Sequence, residues 1–139
     1  MANIIPHSFR GELFSGTHDF SNGGNSFKIA LYTSNPYTTS STAYSTSNEV
    51  SASNTGYTTG GKVLASQAVA SSTAVASVDF ADSSLASATF TAAFAAIYND
   101  TNSDKLCVVL DFGGNKTATN GTFTISFPNP STPANAIIS

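Results

Sequence analysis

The chain has 139 residues, of which only 5 are basic and 8 acidic, while 22 serines and 18 threonines supply most of its polarity. Ordinary soluble domains are about a quarter charged, and weakly charged surfaces tend to associate. Arg10, Lys28, Lys62, Lys105 and Lys116 are scattered singly and the net charge is −3, which excludes the clustered cations of a nucleic-acid binder. No apolar run approaches the ~20 residues of a membrane helix, and ten Phe with five Tyr supply the core residues that disordered chains lack. The chain is long enough for one domain over residues 1–139.

The opening, MANIIPHSF, has neither the basic end nor the apolar stretch of a secretion leader, so synthesis in a reducing cytoplasm is expected. The lone Cys107, in LCVVLDF, agrees with that compartment and reads as a small buried hydrophobe. Residues 1–20 form an N-terminal helical segment, with Ser8 as cap and Gly16 as stop. Phe9, Leu13 and Phe14 are expected on one face of that helix, docked against the body.

From Phe27 the period changes to two: Phe27, Ile29 and Leu31 alternate with Lys28, Ala30 and Tyr32, predicting a half-buried strand. Residues 35–61 follow as a long polar loop that carries Tyr37, Tyr44 and Tyr57. Loops of this length are functional or conceal irregular strands. Aromatic rings on such a segment pin it to its own subunit or offer a face to a ligand, and the amphipathic tyrosine side chain favours pinning. KVLASQAVA, TAVASVDF, ATFTAAFAAIYND, LCVVLDF and TFTISF then read as strands. Phe90, Ala92, Phe94, Ala96 and Tyr98 share one parity, and LCVVLDF reads as a central strand buried on both faces. The separators 82–84, 99–104 and 113–121 are rich in turn residues. The predicted fold class is all-β, an antiparallel β-sandwich or jelly roll with a short N-terminal helix. Residues 128–139 form an extended C-terminal arm, because three prolines cannot donate to a sheet, and the arm ends in the apolar pair Ile137 and Ile138.

Two motifs approach known chemistry and fall short. Gly56–Lys62 has the glycine and lysine spacing of a phosphate-binding loop, but Val63 stands where a hydroxyl must meet magnesium, and a strand, not a helix, is predicted to follow. Asp100, Asn102 and Asp104, with Asp111 further on, begin like a calcium loop, yet Lys105 occupies the position that requires glycine. His7 and His18 are the only histidines. His18 beside Asp19 lacks a third catalytic partner, and no nucleophile elbow or paired zinc histidines occur. The expectation is a protein with no enzymatic activity, cofactor or metal.

The segments SFRGELFSGTHDF, FKIALYTS, TSNEV, TGYTTGGKVL, FAAIYNDTNSDKLCVVLDFGG and GTFTISFP, in that order, resemble small virion structural proteins of tailed bacteriophages. The three-proline arm departs from the pattern. The resemblance implies a virion component made in the host cytoplasm, of the capsid cement or decoration type, that bridges subunits of the major capsid protein or other virion proteins. A homo-oligomer without nucleic-acid or membrane contact is the corresponding expectation. A neck, tail or fibre-joining component and a receptor- or glycan-binding module are the alternatives. Candidate partner contacts are Ile4, Ile5, Phe9, Leu13, Phe14, Tyr37, Tyr44, Tyr57, Ile137 and Ile138.

Overall fold

A computed structural model describes residues 3–71 and 76–127. One helix, α1 (His7–Phe14), precedes strands β1 (Phe27–Tyr32), β2 (Lys62–Val63), β3 (Ala68–Ser71), β4 (Ala76–Asp79), β5 (Ser83–Asn99) and β6 (Lys105–Ile125). The protein is mostly β and antiparallel. Four strands form a sheet in the order β2-β1-β5-β6, β3 and β4 pair as a separate ribbon, and neither sheet closes on itself. The C-terminal arm, with Ile137 and Ile138, lies outside the described residues. Among the described residues no helix is long and apolar enough to cross a membrane.

Helix α1 corrects two expectations. Pro6 holds the N-cap position without a side-chain hydrogen bond, and Ser8 instead donates its hydroxyl to Ser41 O at 3.2 Å. The apolar face is also narrower than predicted. Phe9 is 1% exposed, whereas Leu13 is 40% and Phe14 91% exposed. At about 100° per residue Phe14 is rotated roughly 140° from Phe9, so both rings cannot face one surface. Gly16 ends the helix as predicted, at φ 74, with its N–H bonded to Leu13 O.

The alternation in β1 sends Phe27, Ile29 and Leu31 into the main core and Ala30 and Tyr32 into a second cluster on the opposite face. The strand is therefore buried on both faces rather than half-buried, because the 35–61 loop covers the face predicted to be open. Its neighbour β5 pairs with it in register Ile29↔Ile97 and Leu31↔Ala95.

Strand β6 corrects the reading of LCVVLDF as central: it lies at the sheet edge. Residues 106–109 are buried there because other backbone covers that edge. Ile4 and Val109 exchange two hydrogen bonds of 2.9 and 2.8 Å, and Leu106 N donates to Thr42 O at 3.0 Å. The expected turn at 113–121 is also strand. Ala88↔Gly121, Phe90↔Ala118 and Thr91↔Thr117 continue the hairpin, and Thr91 and Thr117 join hydroxyls at 2.8 Å across it. Such cross-strand hydroxyl pairs sustain a ladder through a sequence that also suits a turn.

Two irregularities shape the hairpin. Ile97 pairs with Val108 but Tyr98 with Leu106, which leaves Cys107 as the extra residue of a bulge and turns both Cys107 and Val108 into the main core. Further along, Ala92 pairs with Lys116 and Phe94 with Asp111, so residues 112–115 have no counterpart on β5. Gly113 and Gly114, at φ 77 and 141, permit this excursion. It brings Phe112 within 6.3 Å of Phe123, residues that a straight strand would hold about 36 Å apart. It also breaks the predicted parity of β5: Phe90 and Ala92 face the main core, while Phe94, Ala96 and Tyr98 face the second cluster.

Candidate functional site

The 35–61 loop contains one charged residue, Glu49, and that residue organises it. Glu49 Oε2 accepts from the Tyr44 hydroxyl at 2.6 Å. Its Oε1 accepts from the Tyr57 hydroxyl at 2.6 Å and from Gly60 N at 2.8 Å. Tyr57 in turn accepts the Leu31 N–H at 3.0 Å, which fastens the loop to β1. Tyr32 and Tyr37 share a 2.6 Å hydroxyl contact, and Tyr32 donates to Ser45 O. Tyr98 donates to Gly60 O at 2.5 Å and stacks on Tyr44 with ring centroids 4.6 Å apart. Burial is the first cause that raises the pKa of all five tyrosines, and proximity to the Glu49 carboxylate adds to it. The tyrosines are thus pins between loop and sheet. Glu49 was legible only as the lone charge in a 27-residue polar stretch.

A second polar cluster lies under α1. Asn99 Nδ2 donates to His18 Nδ1 at 3.0 Å, so the ring proton sits on Nε2, which faces Glu12 Oε2 at 2.6 Å. Lys105 Nζ reaches Glu12 Oε1 at 3.4 Å. Cys107 Sγ stands 3.8 Å from His18 Nδ1. Thiol, imidazole and carboxylate in this order have the connectivity of a nucleophile, a base and its orienting group. However, Cys107 is wholly buried, and burial, followed by the negative charge of Glu12, pushes its thiol well above the ordinary range. A nucleophile needs the thiolate and access to substrate, and here the group is a packed element of the core. The adjacency of His18 and Asp19, too little for a catalytic site, also gave no sign of the partners that the fold brings to His18 from 6, 81 and 89 positions away.

The two near-motifs have structural roles. A Cβ on Gly61 would overlap the carbonyl of Ile29, and its φ is +81, so glycine is required where the chain crosses β1. Lys62 Nζ bonds Ser84 O. Residues 100–104 connect β5 to β6: Asp100 pairs with Lys28 at 3.1 Å, and Asn102 bonds Thr17 O and Asn25. Among the described residues no group of three or more His, Cys, Asp or Glu side chains could hold a metal ion.

The predicted partner contacts separate into two sets. Phe9, Tyr37 and Tyr57 are buried, with Tyr37 and Tyr57 only 4% and 3% exposed. Ile4, Ile5 and Tyr44 are half-buried against the two clusters. Leu13 and Phe14 project into solvent, as do Val63 and Val69, which the sequence reading did not single out. A groove of about 330 Å³ opens beside the β6 excursion, lined by Phe112, Lys116, Phe123, Thr124, Ile125 and Ser126. No protein-family model, curated protein or solved structure matches the chain.

Proposed function

We propose that this chain is a non-enzymatic structural protein of a tailed-phage virion, a capsid cement or decoration subunit that bridges neighbouring capsid subunits. The sequence resemblance supplies the virion context. The observation that carries the mechanical role is the wiring of the 35–61 loop: five tyrosines and Glu49 commit their hydrogen bonds inward and leave a stiff outer surface rich in Ser and Thr. Stiffness lowers the ordering cost of binding, and a surface so poor in charge suits permanent contact with protein better than dispersal in solvent. In fold terms the reading is an open β-sandwich, with the far half of the β5–β6 hairpin folded over the β1 face. The buried rings of Tyr37 and Tyr57 offer no stacking face to a sugar, which disfavours a glycan-binding module.

The test is the copy number of the chain in purified particles, by quantitative mass spectrometry against the major capsid protein and the portal. A ratio close to that of the capsid protein is expected. A portal-like ratio would move the protein to the neck or tail, and absence from particles would overturn the reading.

A further inference from the structure

We propose that Asn22 is a site of spontaneous covalent modification, forming a succinimide and then isoaspartate, and that this change unclamps the β3–β4 ribbon. The sequence contains two Asn-Gly pairs, Asn22 with Gly23 and Asn120 with Gly121. In such a pair no Cβ shields the backbone nitrogen that follows the amide. The fold sets the two apart. Asn22 is exposed, in a turn closed by Gly24 N to Ser21 O at 2.9 Å, with Gly23 at φ 83. Among the described residues, neither the Asn22 side-chain amide nor the Gly23 N–H has a hydrogen-bond partner. Asn120 instead lies within β6. Thr89 Oγ1 accepts its N–H at 3.0 Å and donates to its Oδ1 at 3.4 Å, and Gly121 pairs with Ala88 in the ladder.

The reaction needs only water. The Gly23 nitrogen loses its proton and attacks Asn22 Cγ, closing a cyclic imide, and the Cγ–Nδ2 bond breaks to release ammonia. Water then opens the imide at either carbonyl. Attack at Cγ gives aspartate, whereas attack at the backbone carbonyl gives isoaspartate, whose main chain is one methylene longer. That methylene falls inside the turn that anchors the ribbon. Gln67, the residue before β3, donates from Nε2 to Ser21 O at 2.9 Å and to Asn25 O at 2.8 Å. These two acceptors flank Asn22 and Gly23, so a longer backbone between them spoils the spacing that one amide group bridges. A two-stranded ribbon depends on such ties to the body, because it is marginal by itself.

The inference stands apart from the virion reading, because it is tested on the purified full-length chain. The protein is aged in warm, mildly alkaline buffer and mapped with trypsin and mass spectrometry, the tryptic peptides 11–28 and 117–139 carrying one Asn-Gly pair each. In the folded protein Asn22 should convert at least about tenfold faster than Asn120, a factor that a small local opening cost at Asn120 supplies. In urea, where the surroundings no longer differ, the two should convert at similar rates. The isoaspartate form, separated chromatographically, should exchange amide hydrogens in Ala68–Ser71 about tenfold faster than the parent, the scale of losing one or two neutral hydrogen bonds. Freshly purified Asn22→Asp, which has the new charge without the methylene, should exchange like the parent. Equal conversion at the two sites in the folded protein, or a difference that persists in urea, would overturn the proposal. So would unchanged exchange in the isoaspartate form, or an Asn22→Asp variant that exchanges as fast as that form.

Discussion

Glu49 shows how one side chain can hold a segment that has almost no regular structure. Its carboxylate takes three hydrogen bonds, two from phenols and one from a backbone amide. Glu49→Gln presents an amide N–H₂ to groups that are themselves donors, and should destabilise the protein by about 2–4 kcal/mol, the scale of charged hydrogen bonds lost in a partly buried network. Urea unfolding measures this directly; a change below about 0.5 kcal/mol would mean the carboxylate is not needed. The tyrosines around it give a second prediction. Each has its folded pKa raised above the unfolded value, first by burial. The folded state therefore holds the phenolic protons more tightly than the unfolded chain. That contribution to stability is fully present below about pH 10, the ordinary tyrosine value, and is lost as pH rises through the folded range. Absorbance at the tyrosinate band should stay flat past about pH 10.5, where free tyrosine is mostly ionised, and then rise in one step with unfolding. A gradual titration centred on the ordinary value would show that the rings are open to solvent.

Among the elements, strands β1 and β2 meet at Gly61, and the contact is close enough to test. Gly61→Ala drives a methyl into the Ile29 carbonyl at a φ that side chains disfavour, and should cost about 3 kcal/mol, or roughly 10 °C of melting temperature. Gly113→Ala is the control. It also has positive φ but nothing within 4 Å, so only the conformational cost of about 1–2 kcal/mol applies. Equal losses at the two positions would refute a close approach at Gly61. Alternation made β1 and most of β5 legible, because Phe27, Ile29 and Leu31 follow period two without interruption. It could not place the phase slip opposite residues 112–115. Residues 113–121 are those of a turn, and only pairing with Ala88, Phe90, Thr91 and Ala92 makes the segment strand. Local sequence likewise could not show that LCVVLDF lies at an edge, since Ile4 and Thr42, distant in sequence, supply the cover. The His18 cluster was hidden for the same reason: its partners Asn99 and Cys107 arrive from the far side of the chain. Glu49 and Phe14 were visible as residues, but the inward wiring of one and the exposure of the other depend on which way the backbone turns them.

Over the whole molecule, stability is expected to be uneven. The β1–β5 pair lies inside the sheet with both faces covered, whereas the β3–β4 ribbon is two-stranded, and three of the four β3 residues are exposed. Isolated two-stranded ribbons are marginal. Amide hydrogen exchange should therefore be slowest at Ile29 and Ile97 and fastest in Ala68–Ser71, the latter opening without global unfolding. Uniform protection would contradict this. The same topology also sets an order in time. Phe27 pairs with Asn99, 72 positions later in the chain, so at ribosomal synthesis rates of about 5–20 residues per second β1 waits roughly 4–14 seconds for its partner to be made. The β5–β6 hairpin, by contrast, needs only the five residues between its strands. A later-made hairpin is thus the template on which the earlier strand β1 folds. Until it arrives, the nascent protein displays the apolar strand that the finished one conceals on both faces.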